Sequence, residues 1–142
     1  MIFRKNFLLI PLFIFFISLF FKAFKVVDLG KMTDYKSGLI LLFGAISFLG
    51  GGILEFFIWT ANLWFLLAIL FLYKKEYFIA ILFGLLASAI SLSFISWKEI
   101  LVSENGRMGE IYSLEIGYFL WLFSILFTTI SSIYLKITVK NN

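Results

Sequence analysis

The chain contains no cysteine and no histidine. Without cysteine it can form no disulfide, no thiolate metal site and no cysteine nucleophile. Without histidine it lacks the commonest proton shuttle, the base of a Ser-His-Asp arrangement and the imidazole ligand of zinc or haem. The sequence therefore predicts no catalytic residues, no metal site and no cofactor, and an enzyme is the least expected class of function.

Phosphate-binding motifs are also absent. The sequence has no G-x-x-x-x-G-K-[ST] and no G-x-G-x-x-G, and its three consecutive glycines, residues 50–52, lie in an apolar run with no lysine after them. Charged residues make up only 14% of the chain, with 12 basic against 8 acidic side chains and a net charge of +4. These charges separate the apolar runs and do not gather into a basic patch, so no nucleic-acid partner is predicted.

Long apolar runs are what the sequence has in excess. Hydrophobic residues make up 63% of the chain and the mean hydropathy is +1.07. Residues 77–97 and 116–135 carry no charge, and Glu55 alone interrupts residues 37–73. Because about 20 apolar residues cross a bilayer as a helix, the sequence predicts an integral membrane protein. The expected fold is a single all-α domain over residues 1–142, a polytopic bundle of four or five transmembrane helices whose surroundings are the lipid bilayer.

The number of spans depends on where residues 37–73 turn. Five apolar segments are predicted, at residues 7–24, 38–59, 63–73, 77–97 and 116–135. In this division the turn falls at residues 60–62, where Asn62 caps the following helix and Trp59 and Trp64 mark the interface. Glycines 50–52 are the alternative turn. Four spans with a re-entrant element at residues 50–62 remain open, and would return both chain ends to one side.

Lysine placement and the N-terminus give opposite orientations. Five spans with the N-terminus outside put eight basic residues in the cytoplasm against four outside. Residues 22–36 are then cytoplasmic and the polar loop 98–115 is extracytoplasmic. The first 21 residues look like a signal sequence, which usually keeps its start inside. They lack a small-residue cleavage site, so an uncleaved first helix is expected.

Small residues recur at helical spacing in two of the apolar segments. Ala80, Gly84 and Ser88 are four residues apart, as are Ser124 and Thr128. Small side chains on one face let helix backbones approach closely in lipid. We interpret these residues as helix-packing positions, inside the bundle or in a homo-oligomer.

Glu55 is the one acidic residue within an apolar run. A carboxylate at membrane depth costs several kcal/mol unless it is paired, protonated or near water, so such a residue is a candidate functional site. A turn at residues 60–62 would place Glu55 about one helical turn below the interface, where it can be structural. Both interpretations stay open at this point.

The loop 98–115 is the longest polar stretch and the most acidic. Asn105 and Gly106 predict a turn. Glu104, Arg107 and Glu110 are close enough in sequence to pair locally, and they are the candidate partner-binding residues of this loop. An exposed loop of mixed charge is usually a solvated connector. It is also the largest polar surface that the sequence offers to a partner.

Two fragments, W-T-A-N-L-W at residues 59–64 and G-Y-F-L-W-L-F-S at residues 117–124, resemble those of a group of small bacterial multi-span membrane proteins. Related sequences often place proline after the asparagine, where this chain has Leu63. The group has no activity to transfer. The resemblance implies a helical bundle in the bacterial inner membrane.

Two functional classes follow. The first is a non-enzymatic interaction protein, of an accessory, assembly or immunity type, which binds another membrane protein through helix faces and the polar loop. The alternative is a small oligomeric transport or permeation subunit that uses Glu55 and the Ser/Thr helix faces, because a path for ions needs polar groups inside the membrane.

Overall fold

The structure is a computed structural model that describes residues 2–140, and the side chains of residues 5–138. About two-thirds of it, 66%, is helical. The helices are α1 (Ile2–Ser18), α2 (Ser37–Gly44), α3 (Ile53–Trp59), α4 (Ala61–Tyr73), α5 (Tyr77–Ser93) and α6 (Ile116–Lys140), with 3₁₀ turns at Ser47–Gly50 and Phe94–Ser96. The strands are β1 (Lys22–Asp28), β2 (Lys31–Lys36), β3 (Glu99–Leu101) and β4 (Met108–Leu114).

Three helices in the described part of the chain are long and apolar enough to cross a membrane, by length and composition. They are Ile53–Tyr73, which joins α3 and α4, then Tyr77–Ser96 and Ile116–Thr138. The apolar part of α1, Lys5–Ser18, is shorter. These helices agree with the membrane class that the apolar runs predict.

The expectation of an all-α fold is wrong, because the chain also forms an antiparallel sheet in the order β2-β1-β4-β3. Its first hairpin lies in the lysine-rich segment after α1. Leu29 and Gly30 form the two-residue turn, both with positive φ, at 49° and 76°. Turns with this geometry match the twist of two antiparallel strands, and glycine adopts it without strain. Asp28 and Lys31 close the hairpin as a registered pair.

The second hairpin occupies the polar loop before α6. It turns at the predicted Asn105 and Gly106, where the Gly106 N–H donates to the Ser103 carbonyl and Gly106 has a φ of 84°. Strand β4 then pairs with β1, placing Val26 opposite Ile111. Backbone hydrogen bonds thus join the two polar segments into one sheet. The five-span prediction, which put residues 22–36 and 98–115 on opposite sides of the membrane, is wrong for this reason.

The predicted span 38–59 is not one helix. The chain leaves α2 at Gly44 and reverses through the 3₁₀ turn and the glycines, with Gly51 at a φ of 90°. Helix α3 then packs back against α2, and the Trp59 indole N–H donates to the Leu41 carbonyl at 2.9 Å. A Cβ at Gly44 would lie only 2.5 Å from Trp59 Cδ1, so the reversal requires glycine there.

The preferred turn at residues 60–62 is also wrong. The helix runs through this position from Ile53 to Tyr73. Asn62 does not cap it, because its side-chain amide donates to the Trp59 carbonyl and its Oδ1 accepts from the Trp121 indole, both at 2.8 Å. Asn62 therefore ties α4 to α6, and the break belongs to the glycine-rich segment before it.

The core has three layers from the sheet to the opposite end of the bundle. Val26, Phe94 and Tyr118 belong to the layer beneath the sheet. A middle layer includes Phe15, Phe65 and Ile125, and a last layer includes Leu8, Leu72 and Leu135. The start of α1 and the end of α6 therefore lie at the end of the bundle remote from the sheet, which we call the terminal end.

Candidate functional site

The small residues of α5 lie against α6. Ala80, Gly84 and Ser88 are all buried, and a Cβ on Gly84 would lie 2.7 Å from Thr129 Oγ1 and 3.2 Å from Thr129 Cα. One turn further, Ser88 Oγ and Thr129 Oγ1 share a hydrogen bond of 3.0 Å. Gly84 and Ser88 of the predicted face thus pack closely on another helix of the same chain. Sequence reasoning missed Thr129, which lies next to the predicted Thr128.

The hydroxyls of α6 satisfy their own helix. Ser124 Oγ donates to the Trp121 carbonyl at 2.6 Å, and Thr128 Oγ1 donates to the Ser124 carbonyl at 3.0 Å. Ser124 and Thr128 are fully buried inside the bundle. A hydroxyl bonded to its own backbone can be buried without a polar path beside it.

Glu55 joins the membrane helix to the sheet. It lies in the first turn of α3, and its Oε1 accepts the Leu101 N–H of β3 at 2.8 Å. A carboxylate at the start of a helix is also favoured by the helix dipole. Its contact with β3 places it at the sheet end of the bundle, and gives this acid a structural partner.

We expect Glu55→Ala to destabilise the protein by about 1–3 kcal/mol, because the Leu101 N–H loses its acceptor. Glu55→Gln keeps an oxygen acceptor and loses only the charge, and should cost less than about 1 kcal/mol. Thermal unfolding of the purified variants measures both. Equal destabilisation by the two would show that the charge, and not the hydrogen bond, holds β3.

The predicted trio of loop charges does not come together. Arg107 Nη2 contacts Asp28 Oδ2 at 3.0 Å, so it bridges the two hairpins instead of pairing within its own loop. Glu104 lies beside Gly50, where its Cγ would be 3.4 Å from an added Cβ. Glu110 lies in β4, opposite Val27 and Glu99. The fold of the two hairpins sets the position of each charged side chain. The spacing of the three residues in the sequence did not predict these positions.

Two further ion pairs involve strand β1, one within the first hairpin and one to Glu115 just before α6. Lys22 pairs with Asp34 across the first hairpin, and lowers the pKa of that carboxyl. Ser113 and Lys25 both bond Glu115 and lower its pKa, the serine more strongly. These pairs contribute stability above the ordinary carboxyl pKa and lose it as the pH falls through the lowered pKa of each acid.

The outward face of the sheet carries a row of registered side chains, one from each strand. The strand register aligns Met32 with Val27, Val27 with Glu110, and Glu110 with Glu99. The opposite face is buried, with Val26 and Gly109 turned to the core. Glu99 and Glu110 are both exposed and stand directly opposite each other, an arrangement that destabilises a sheet when nothing neutralises it.

A cavity of about 70 Å³ lies where the bundle meets the sheet. Its lining consists of Phe15, Ser18, Leu19, Ala23, Phe24, Ser37, Ile40, Leu41, Trp59, Asn62, Phe94, Gly117, Tyr118 and Trp121. No lining side chain is charged. Ser37 is 9% exposed, and its Oγ is the one buried side-chain polar atom in the described structure without a hydrogen-bond partner.

Metal-ion chemistry requires several ligand side chains that lie close together. No group of three or more Asp or Glu side chains within residues 5–138 is placed to hold a metal ion. No family model, no curated protein and no solved structure matches the sequence. Any proposal about function therefore rests on the contacts within the molecule.

Proposed function

We propose that the chain is a non-enzymatic interaction protein of the bacterial inner membrane, of an accessory, assembly or immunity type. Helices α1, α3–α4, α5 and α6 cross the bilayer four times, and the sheet meets a membrane-protein partner at the surface. The inner membrane is supported by the resemblance of residues 59–64 and 117–124 to small bacterial multi-span proteins. Four spans are supported by the start of α1 and the end of α6, which both lie remote from the sheet.

The opposed Glu99 and Glu110 are the observation that carries this proposal. Like charges directly opposite on a sheet cost stability, and neither carboxylate takes part in an ion pair among the described residues. If the sheet served only to cover the bundle, replacing one of these glutamates with a neutral residue would stabilise the protein. A partner that supplies a positive charge would convert this repulsion into attraction.

The neighbours of the two acids suggest the chemistry of the partner. Val27 and Met32 continue the row across the sheet, and Met32 is exposed over about half of its surface, 54%. Lysine and arginine combine an apolar stem with a charged head. A basic side chain of the partner can therefore lie along Val27 and Met32 and reach both carboxylates.

The contacts within the bundle favour this function over a permeation subunit. Glu55 is bonded to the Leu101 N–H at the sheet end, and the hydroxyls of Ser124 and Thr128 are bonded to α6 itself. A path for ions needs polar groups that face water inside the membrane. In the described structure Glu55 instead joins α3 to β3, and the two hydroxyls bond within α6.

The test is co-purification from native membranes with a tagged chain. We expect a partner to be retained by the parent protein and lost from the double variant Glu99→Gln, Glu110→Gln. Because the substitution removes a like-charge pair, the purified double variant should unfold at the same or a higher temperature than the parent. Loss of binding without loss of stability separates recognition from folding.

Glu76→Gln is the matched control, because Glu76 is an exposed acid at the terminal end of the bundle. It should retain the same partner. Equal retention by the parent, the double variant and the control would contradict the assignment of the sheet face as the binding surface.

A further inference from the structure

The cavity at the junction of bundle and sheet has the composition of a binding site. Aromatic and aliphatic side chains from α1, α2, α3 and α6 surround it, with few polar groups among them. Sites for small molecules commonly combine an apolar lining with a few polar groups that orient the ligand. Its volume of about 70 Å³ is several times the ~10–15 Å³ that one water requires.

Ser37 is the polar group that lacks a partner. Other polar groups around the cavity are engaged: Ser18 Oγ donates to the Phe15 carbonyl, and the Tyr118 hydroxyl donates to the Ser91 carbonyl. Asn62 is bonded through both ends of its amide. A buried hydroxyl without a partner is uncommon in a folded protein and calls for one. Ser37 is one of the residues that line the cavity, so a ligand there can supply the missing hydrogen bond.

The absence of charged side chains from the lining excludes a charged ligand. A carboxylate, phosphate or ammonium group would be buried with no opposite charge beside it, which is strongly unfavourable. A water molecule in a cavity needs two to four polar partners, and Ser37 is the one unsatisfied side chain that the cavity offers. A neutral hydroxyl or carbonyl on an apolar chain fits both limits.

Helix α2 gives the cavity a boundary with the lipid. Ile40 and Leu41 face the cavity, whereas Leu39, Leu42 and Phe43 on the same short helix are exposed apolar side chains. Exposed apolar residues next to the membrane helices contact acyl chains. A ligand whose polar group and first carbons lie in the cavity would leave it past α2, beside these exposed apolar side chains.

We propose that this cavity binds the head of a neutral single-chain amphiphile, such as a long-chain alcohol or a monoacylglycerol, through a hydrogen bond to Ser37. The lipid site is independent of the partner surface on the outward face of the sheet, because the cavity lies on the buried side beneath it.

The probe is octadecanol that carries a photoreactive diazirine on one of its first carbons, added to the full chain in phosphatidylcholine vesicles. We expect photolabelling of peptides that contain Ile40 or Phe94, and suppression of this labelling by excess unlabelled octadecanol. Octadecyl sulfate has the same chain and a permanent charge, and should not compete.

Three variants sharpen the test. Ile40→Trp fills the cavity and should abolish the competed labelling, whereas Leu42→Trp changes the lipid-exposed face of the same helix and should retain it. Ser37→Ala should weaken competition roughly fivefold, the effect of one net hydrogen bond of about 1 kcal/mol. Because Ser37 Oγ has no hydrogen-bond partner among the described residues, the thermal stability of Ser37→Ala should not fall.

Labelling that octadecanol does not suppress, or that Ile40→Trp leaves intact, would overturn the proposal and leave bulk lipid or water only in the cavity. Equal competition by octadecyl sulfate would overturn the neutral head group. If Ile40→Trp does not fold, the unchanged stability and weaker competition of Ser37→Ala decide the question.

Discussion

Gly84→Leu will break the contact between α5 and α6. A Cβ at residue 84 would lie 3.2 Å from Thr129 Cα and 2.7 Å from Thr129 Oγ1, and leucine places three further carbons beyond it. The neighbouring backbone can move away only by separating the helices. Leucine forms helices better than glycine by nearly 1 kcal/mol, but overpacking costs about 1–3 kcal/mol and more where backbone is in the way. Because the backbone is in the way the cost lies at the upper end of this range, and we expect a net loss of about 2 kcal/mol.

Unfolding of the detergent-solubilised protein, followed by circular dichroism, measures this loss. Ala89→Leu is the matched control, because Ala89 lies on the exposed face of the same helix. It should change stability by less than about 0.5 kcal/mol. If Gly84→Leu behaves like Ala89→Leu, the two helices do not approach each other as closely as the structure places them.

Cysteines at Thr33 and Ser103 will react alike with a membrane-impermeant thiol reagent in intact cells. Both positions belong to the sheet, since Thr33 lies in β2 and Ser103 in the turn between β3 and β4. The chain contains no other cysteine, so each variant reports one site. A cysteine at Glu76, at the terminal end, should show the opposite reactivity and react only after the cells are permeabilised.

The expected direction is that the sheet lies outside the cytoplasm. Lysine and arginine divide equally, six at each end of the bundle, so their number alone does not orient the chain. The signal-like N-terminus, with its basic residues before an apolar helix, favours the cytoplasm for the terminal end. Protection of both sheet cysteines would invert the orientation. Different reactivity of Thr33 and Ser103 would contradict the sheet itself.

Helices α5 and α6 were predictable because their signals are local. A run such as 116–135 is apolar wherever it lies, and the spacing of Ala80, Gly84 and Ser88 describes one helix face without reference to its partner. The helix against which this face packs was not predictable from its spacing. Nothing in the spacing of α5 indicates that Thr129, on α6, is the residue that Gly84 contacts.

The sheet could be predicted only in pieces. Asn105 and Gly106 predict the turn of the second hairpin. Gly30 lies between two runs that contain valine, threonine and tyrosine, and this pattern could have identified the first hairpin. The pairing of β1 with β4 joins residues about 85 positions apart, as in Val26 and Ile111. The positions of Arg107 and Glu110 depend on that pairing.

By itself the sequence determined that the chain has helices long and apolar enough to cross a membrane, because the length and hydropathy of each run are properties of neighbouring residues. Tertiary structure decided the reversal of 38–59, the role of Glu55 and the cavity at Ser37. Trp59 packs on Gly44, Glu55 accepts from Leu101, and Ser37 meets α1 and α6 only after the chain has folded. These contacts join residues distant in the chain, and local composition carries no information about them.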